Sequence, residues 1–556
     1  MFNKNLEQID NDALKRRLVK ISPIESRVGI SYCVTPSNDY VLLKDEIPVD
    51  DLQNPREAVK QALKNNINNE MKSNDIIINF GIGLGYLLDE TFNNYPSKIF
   101  VYEPDLNLLH FVLSNVDISE HLASGRVFLT NDLDELISKL GSTFITKDRV
   151  EIVYLQNYAV AKNKDLLMLT QKVFDTCKSK MIDINTITKF SKKWLLNTIS
   201  NIASVNEKNF YLLSDLENKY LGKTALIAGA GPSLADNIEN IKNHRDKFVI
   251  FALNKNAKYL YNEGITPDFI VCLDAENMNR TLDGLDSYLQ NSNAIIDIRT
   301  DHSIVTKNFK RIFVNFSETD FFIKKLSKYN NFMKFYESGG TASTLALASA
   351  VKMGFAKIIL AGIDLAFKDN IIYSDGKTMQ RISQDTIIVD NTRKNLTQVK
   401  SVNGGFVYTR EDYQAHIHHF ETLLKEFNHS EIYNISSFGA YIEGVKNVSM
   451  ADLELISFGT IDPTAFLQPF KIDLKDFIQE EFCSINNIIS MLSKGAFSLA
   501  LVSSIIKSTL VYQYIQGDVL QVLQKNFDPD LAQSFIENTK SAIKIIVEQL
   551  QKNKLI

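Results

Sequence analysis

The chain has 556 residues, of which 45% are apolar, and its formal net charge at pH 7 is −5. The length exceeds what one hydrophobic core holds and predicts about three or four domains, while the charge gives no general attraction for nucleic acid or anionic membranes. Four scattered cysteines without a CxxC pair, and an N-terminus without a signal-peptide core, indicate a reducing cytoplasm. The most apolar segment, from Gly495, is broken by Lys507, so no membrane span is predicted.

Residues 1–162 alternate strand-like and helical stretches, with strand candidates DIIINF, KIFVYEPD, GRVFLTND and VEIVYLQNY. The first candidate leads into Gly81, Gly83 and Gly85 at alternate positions, and the acidic Glu103 follows about twenty residues on, which resembles methyltransferase-type Rossmann domains. The glycines either bind S-adenosylmethionine or a nucleotide, or only shape a turn. No Asn-Pro-Pro-Tyr motif follows, which favours the turn in a Rossmann-like scaffold.

The rest of the chain divides by pattern into three segments. Residues 163–220 are helical and charged, which predicts a connector, and residues 221–450 form a second α/β block. Residues 451–556 have helical spacing and no strand candidates, which predicts a helical bundle. The expected fold class is therefore α/β, with two Rossmann-like parallel-sheet domains and a C-terminal all-α helical bundle. The apolar strand candidates of the second block are KTALIAGAG, FVIFALN, PDFIVCLD, NAIIDIR, RIFVNFS, KIILAGIDLA and EIYNIS.

The stretch TALIAGAGPSL joins a predicted strand to a predicted helix. Gly229 and Gly231 let the backbone approach a ligand, Pro232 suits a first helical turn, and Ser233 lies near the helix N-terminus. This arrangement favours a bound phosphate. It is neither a G-x-G-x-x-G fingerprint nor a P-loop, so a tight structural turn is the alternative.

Polar residues also follow three other apolar strands. Asn254, Lys255 and Asn256 come after FVIFAL, Asp274 after PDFIVCL, and Asp364 after KIILAGI. Open α/β sheets bind ligands at the carboxyl ends of their strands. Together these residues predict a nucleotide site at that edge, although each one alone could be a turn former or a helix cap.

A second candidate anion cradle precedes a helix of small residues, in ESGGTASTLALASAVKMGF. Ser338, Gly339, Gly340 and Thr341 stand immediately before that helix, where backbone N–H groups attract anions. The glycine pair could instead allow close helix packing. The preceding Glu337 is a candidate for the acid–base chemistry of the site.

The motifs GAGPSL, Asn254-Lys255-Asn256, PDFIVCLD and SGGTASTLALASAVKMGFAKIILAGIDLAF occur in an order that resembles the motility accessory factors (Maf), which are flagellin glycosyltransferases. The resemblance covers about residues 220–445, and more remotely the same motifs resemble bacterial sialyltransferases that use CMP-sugars without a metal. It implies transfer of a nonulosonic acid, of the pseudaminic or legionaminic type, from a CMP donor to serine or threonine of flagellin. No cofactor beyond the donor is implied, and no nucleic-acid or membrane partner.

The sialyltransferase resemblance assigns roles to individual residues. Donor contacts fall on the glycine-proline-serine turn, on Asn254 and on the second glycine turn, while Asp274 stands where that class has an asparagine near the sugar or ribose. Tyr373 matches the second of two tyrosines that steady the leaving phosphate, and Ala366 or Phe367 stands in place of the first. The histidine base of the class aligns with residues 409–411, which contain no histidine.

Transfer from a CMP-sugar requires stabilisation of the departing phosphate and deprotonation of an acceptor hydroxyl. Arg299 could pair bidentately with the carboxylate of a nonulosonic acid, or form an ordinary ion pair. The HIHH run has no carboxylates at metal-ligand spacing, so no metal site is predicted. The candidates for the base are Asp297, His302, Glu318, Asp320, Glu337, Asp364, His416, His418 and His419.

Two other functions fit the same motifs. Pterin pyrophosphokinases are also related to this motif set, and they would use ATP and magnesium held by Asp274 and Asp364. A flagellin-binding chaperone with a degenerate nucleotide fold would account for the missing tyrosine. The extra domains disfavour the first alternative, because a pterin-sized substrate needs neither a second α/β block nor a helical tail.

Overall fold

The computed structural model forms two compact units, Met1–Asn185 and Thr186–Ile556, and their boundary falls within one helix, Asn163–Glu207. The predicted four-part division at residues 162, 220 and 450 stays a prediction. Across the part of the chain described, no helix is long and apolar enough to cross a bilayer. The described residues are 1–67, 70–145, 148–276, 279–317, 320–336, 339–367, 396–427, 430–457, 464, 466–493, 509–516 and 529–555.

The first unit contains two sheets. β1 (Ile30–Val34), β2 (Tyr40–Lys44) and β3 (Ile47–Pro48) pair antiparallel, and β4 (Ile76–Phe80), β5 (Lys98–Tyr102), β6 (Val127–Thr130) and β7 (Val150–Tyr154) form a parallel sheet in the order β6-β5-β4-β7. All four predicted strands are present in the parallel sheet. Its helices are Phe2–Gln8, Asp12–Leu18, Pro55–Asn66, Tyr86–Asn94, Leu106–Asn115, Ser119–Ala123, Leu133–Thr143, Gln156–Ala161 and the start of Asn163–Glu207.

The second unit is built on a nine-stranded parallel sheet. Its strands are β8 (Tyr211–Leu212), β9 (Thr224–Ala228), β10 (Val249–Leu253), β11 (Phe269–Cys272), β12 (Asn293–Asp297), β13 (Ile312–Asn315) and β14 (Lys357–Ala361). A separate hairpin of β15 (Thr397–Lys400) and β16 (Phe406–Thr409) follows, and then β17 (Glu431–Asn434) and β18 (Lys446–Asn447) complete the sheet. The order is β18-β17-β14-β9-β10-β11-β12-β13-β8, and all seven predicted strands of this block are confirmed.

Helices cover both faces of this sheet, as the apolar character of its strands requires. The helix Ala342–Lys352 packs on one face through short side chains that are almost all buried. On the other face the C-terminal helices share one core with the sheet, where Phe477 stacks on Phe322 with ring centroids 5.1 Å apart. The helices are Asn163–Glu207, Ser233–Asn243, Ala257–Asn262, Asn279–Leu282, Asp286–Leu289, His302–Val305, Phe321–Leu326, Ala342–Lys352, Glu411–Glu426, Lys475–Ser493 and Pro529–Lys552.

The predicted fold class, parallel α/β sheets followed by C-terminal helices, is confirmed. The sequence patterns missed β1–β3, the β15–β16 hairpin and the two short edge strands β8 and β18. Most of these strands are short or largely exposed, so they lack the continuous apolar runs of the central strands. β2 carries the apolar run YVLL and was missed in spite of it.

Candidate functional site

The candidate site lies at the topological switch point of the large sheet. From β9 the chain runs through β10 to β13 on one side, and β14 then returns to pair with the other side of β9. The loops that leave β9 and β14 therefore meet at the carboxyl edge, where open α/β sheets bind their ligands. The structure brings together the predicted polar residues that follow β9, β10 and β14.

The turn after β9 is closed by a contact between Ser233 and Asp364. The backbone N–H of Ser233 donates to Oδ2 of Asp364 at 2.9 Å, and its hydroxyl donates to Oδ1 of the same carboxylate. Both side chains are buried. The anion at the N-terminus of helix Ser233–Asn243 is thus the carboxylate of Asp364, in the position that the sequence suggested for a phosphate.

Gly229 and Gly231 are required by the packing of this turn against the end of β14. A Cβ atom on Gly231 would lie 2.5 Å from Oδ2 of Asp364 and 2.7 Å from the carbonyl oxygen of Gly362. A Cβ atom on Gly229 would overlap the same carbonyl. Pro232 is the N-cap residue, with φ −59°. The close approach that the glycines allow is therefore to the chain itself, which favours the structural-turn alternative for these residues.

The segment after β10 joins the same turn. Nδ2 of Asn256 donates to the carbonyl oxygens of Ala228 at 2.8 Å and Gly229 at 2.7 Å, and its buried Oδ1 has no hydrogen-bond partner within the described residues. Asn254 is also buried, and its Nδ2 donates to the hydroxyl of Thr281 at 3.3 Å. Lys255, between them, is exposed. Of the three, Lys255 is the side chain best placed to meet a ligand.

The second glycine turn begins the helix Ala342–Lys352. Thr341 caps this helix in a capping box with Thr344, in which each backbone N–H donates to the hydroxyl of the other residue at 3.1 Å. Gly339, at φ +58°, packs against Thr344, whereas a Cβ atom on Gly340 would meet no atom of the described residues within 4 Å. The neighbouring candidates Glu337 and Ser338, and the distant Tyr373, lie outside the described residues.

Arg299 forms a buried ion pair. Its Nε donates to Oδ1 of Asp297 at 2.8 Å and its Nη2 to Oδ2 at 3.2 Å, while the guanidinium lies 5.1 Å from the ring centre of Trp194. Asp297 is fully buried. The ion-pair alternative therefore describes Arg299 better than an open carboxylate-binding role. Asp274, by contrast, has an exposed side chain, and its carbonyl oxygen accepts the N–H of Asp301 at 3.0 Å.

An aromatic and basic group of side chains lies at the start of the helix Glu411–Glu426. The rings of Phe367 and Tyr413 stack with centroids 6.0 Å apart, and the guanidinium of Arg410 lies 4.4 Å from the Tyr413 ring centre. The ring of His416 is 6.0 Å from that of Tyr413. We call these four residues the edge cluster. Arg410, Tyr413 and His416 recur every third residue, a spacing that places them on one helix face and that was readable in the sequence.

His416 is the base candidate whose environment suits the role best. Burial lowers its pKa to about 4, Asp412 opposes that effect, and the charges of Arg410 and Lys255 are among the effects that lower the pKa further. The imidazole is therefore neutral at pH 7 and able to accept a proton. Lys255, on the segment after β10, is thus one of the charges that act on this imidazole.

The other described base candidates are engaged elsewhere or lack such surroundings. Nδ1 of His302 lies 2.8 Å from Oδ1 of Asn201, and Asp320 is buried as the cap of helix Phe321–Leu326. His418 is exposed, and Glu318 lies outside the described residues. Among described side chains, no group of three or more His, Cys, Asp or Glu could hold a metal ion.

The glycine loop of the first unit is filled by its own side chains. Glu103, which the methyltransferase-type resemblance would place on ribose hydroxyls, accepts the Tyr158 hydroxyl and the N–H of Ile82 at 3.1 Å, and burial raises its pKa to about 7. A Cβ atom on Gly81 would lie 2.6 Å from the ring of Tyr158, and the adjoining cavity has a volume of about 10 Å³. The contacts favour the scaffold alternative, in which the glycines shape a turn.

Comparisons with known proteins agree with this fold. Residues 196–370 match the family model described as 6-hydroxymethylpterin diphosphokinase MptE-like. An uncharacterized protein of Treponema pallidum (strain Nichols) is 32% identical over 94 residues, which is 17% of this chain and 43% of that protein. The match thus spans less than half the length of the relative.

A solved structure matches over the full length. The Maf glycosyltransferase from Magnetospirillum magneticum AMB-1 superposes with a TM-score of 0.67 at 16% sequence identity, covering 100% of this chain and 96% of that one. The chain therefore has the fold of a Maf glycosyltransferase from end to end, and the resemblance predicted from its motifs is confirmed at the level of fold.

Proposed function

We propose that the protein is a cytoplasmic glycosyltransferase that moves a nonulosonic acid, of the pseudaminic or legionaminic type, from a CMP donor to serine or threonine hydroxyls of flagellin. The observation that carries the proposal is the end-to-end fold match to a Maf glycosyltransferase. The motif order in the central block supports the same family, and the CMP donor and the flagellin acceptor come from that resemblance. CMP is released as the glycosidic bond forms.

The donor phosphate would lie between the segment after β10 and the edge cluster. Lys255 is exposed there, and Arg410, whose guanidinium donates to both carboxylate oxygens of Asp412, is a second cation that acts on His416. Positive groups beside a departing phosphate stabilise the charge that develops as the bond to the sugar breaks. They supply a function that the sialyltransferase resemblance assigns to two tyrosines. Ser233 and Asp364 would hold the turn in place rather than contact the phosphate.

His416 would accept the proton of the acceptor hydroxyl. A pKa of about 4 makes the free imidazole a weak base. A phosphate bound beside it would raise that pKa, because a nearby negative charge favours the imidazolium. The base would therefore strengthen when the donor is bound, and the exposed carboxylate of Asp274 could accept a hydrogen bond from a donor hydroxyl.

A two-step experiment tests this proposal. The thermal stability of the protein is first measured with CMP, in the presence and in the absence of a chelator. Flagellin is then incubated with the protein and CMP-nonulosonic acid, and its mass is measured by mass spectrometry. We expect stabilisation by CMP and a mass increase of one sugar residue or more. His416→Asn should lower the rate by about 10²–10⁴, whereas His418→Asn, an exposed position on the same helix, should leave it unchanged. Absence of both stabilisation and mass increase in the wild type would refute the proposal.

The family match over residues 196–370 favours a second candidate, pyrophosphoryl transfer from ATP with magnesium. Asp274 is exposed enough to hold a metal ion, but both carboxylate oxygens of Asp364 already accept hydrogen bonds from Ser233. Stabilisation by ATP that requires magnesium, with AMP formed on addition of hydroxymethylpterin, would support this candidate. Stabilisation by neither nucleotide would point to the flagellin-binding chaperone.

A further inference from the structure

The segment Asp364–Phe367, which follows β14, contains a strained backbone position. Leu365 has φ +46°, in the left-handed region that leucine rarely adopts. Its side chain is half-buried against the cluster of Ala366, Ile417 and Ala440, a packing contact that a glycine in this conformation would lack. Strained conformations persist only where the surrounding structure holds them, and they concentrate at functional sites. The contacts that hold Leu365 therefore bear on the candidate site.

Thr409 supplies one of these contacts. Its side chain is fully buried, and its hydroxyl donates to the carbonyl oxygen of Leu365 at 2.6 Å. Thr409 is the last residue of β16, and Arg410 of the edge cluster follows it directly. The hydrogen bond therefore joins the start of the edge cluster to the residue after Asp364.

Backbone hydrogen bonds hold the chain on either side of Leu365. The carbonyl oxygen of Asp364 accepts the N–H of Ala440 at 2.8 Å, and the N–H of Phe367 donates to the carbonyl oxygen of Tyr408 at 3.0 Å. Leu365 lies between these two fixed points, and its own carbonyl oxygen is held by the side chain of Thr409.

The same four residues reach both parts of the candidate site. At one end, the carboxylate of Asp364 accepts two hydrogen bonds from Ser233 in the turn after β9. At the other end, the ring of Phe367 stacks on that of Tyr413 in the edge cluster. Because φ and ψ are the only soft dihedrals of a residue, a change of φ at Leu365 would turn one end of the segment relative to the other.

We infer that Thr409 is a positioning residue, whose hydroxyl holds Leu365 in the left-handed conformation and so keeps the edge cluster in place relative to the turn at Asp364. Thr409 acts through its neighbours, since its own hydroxyl is buried and donates to a carbonyl. The expected effect on turnover rests on the proposed function, because a misplacement of about 1 Å can cost about 10²-fold in rate. The effect on the edge cluster needs no substrate.

His416 reports on the edge cluster in the free protein. Its ring lies 6.0 Å from that of Tyr413, and burial is the largest of the effects that lower its pKa to about 4. Displacement of the neighbouring rings exposes the imidazole to water and should raise this pKa towards 6.5. The pKa is measured by NMR titration of protein labelled at its eight histidines, and the His416 signal is the one absent from His416→Gln.

Thr409→Val keeps the shape of the side chain but removes the donor, so it should raise the pKa of His416. Thr409→Ser restores the hydroxyl and should restore the wild-type pKa. Thr422→Val is the matched control, because the Thr422 hydroxyl also donates to a backbone carbonyl, that of His418 at 2.9 Å, but at an exposed position. It should leave the pKa of His416 unchanged.

The outcomes that overturn the inference are an unchanged pKa of His416 in folded Thr409→Val, or an equal rise in Thr409→Ser. The signals of the other histidines show whether each variant is folded. If Thr409→Val does not fold, Thr409→Cys, a weaker donor of similar size, takes its place with the same expected rise.

Sugar transfer to flagellin is measured on the same proteins, so the two proposals can fail separately. The kcat of Thr409→Val should fall by about tenfold or more, and that of Thr409→Ser should stay near the wild-type value. If the wild type transfers sugar and Thr409→Val has the same kcat, the inference is overturned. If the wild type transfers no sugar, the proposed function fails, and the titration of His416 alone decides the role of Thr409.

Discussion

Ser233→Ala tests whether the serine serves the fold or the ligand. The substitution removes the hydroxyl that donates to Asp364 and leaves a buried carboxylate with one fewer partner. Hydrogen bonds to charged groups contribute about 1.5–3 kcal/mol, so the free energy of unfolding of the second unit should fall by about that amount. The affinity for CMP should stay within about twofold, because the hydroxyl faces the carboxylate rather than a phosphate.

Trp194 serves as the fluorescence probe of unfolding, and Ser303 provides the control substitution. Trp194 is the single tryptophan and lies in the second unit, so its fluorescence during urea denaturation reports unfolding of that unit. Ser303 carries a buried hydroxyl without a hydrogen-bond partner within the described residues, so Ser303→Ala should change stability by less than about 0.5 kcal/mol. Unchanged stability in Ser233→Ala together with tenfold weaker CMP binding would show that the serine contacts the ligand.

Three further outcomes are expected. Arg299→Ala should lower the free energy of unfolding by about 3–5 kcal/mol in the same urea assay, because it leaves the buried carboxylate of Asp297 without its counter-ion. A loss below about 1 kcal/mol would contradict the buried ion pair. The pKa of His416 is about 4 in the folded protein and about 6.5 in the unfolded chain, so the free energy of unfolding should fall by up to about 3 kcal/mol as the pH is lowered from 6.5 to 4. His416→Gln should remove this part of the pH dependence, and an identical pH dependence in both proteins would disprove the assignment. S-adenosylmethionine should not shift the melting temperature of the wild type, since Tyr158 fills the loop at Gly81; clear stabilisation would show that the loop opens.

The sequence was sufficient to predict the central strands and their common edge. Runs such as ALIA and IILA are apolar throughout because both faces of a parallel sheet are covered, and that property is local. The partner of Ser233 was not predictable in the same way, because Asp364 lies 131 positions further along the chain. A strand, a turn and a serine at a helix start look alike whether the anion they hold is a phosphate or a carboxylate of the same chain.

Arg299 illustrates the same limit. The pattern Asp297-x-Arg299 allowed either an internal ion pair or an open cation, and only the burial of the aspartate decides between them. The edge cluster was accessible to sequence reasoning through the three-residue spacing of Arg410, Tyr413 and His416. It was missed as a group because Phe367 and Lys255, which complete its surroundings, come from other segments of the chain.

The parallel sheet of the second unit has a consequence for synthesis and folding. β8 pairs with β13, so about 100 further residues must be translated after Tyr211 before its partner Phe313 is synthesised. Slow folding is typical of such long-range pairings. Phe470 and Phe477 then pack on Phe316 and Phe322. A nascent or truncated chain that ends before these residues leaves aromatic surface uncovered and prone to aggregation. The helical tail completes the core rather than forming a removable module, so shortened versions intended for acceptor-binding studies should keep it.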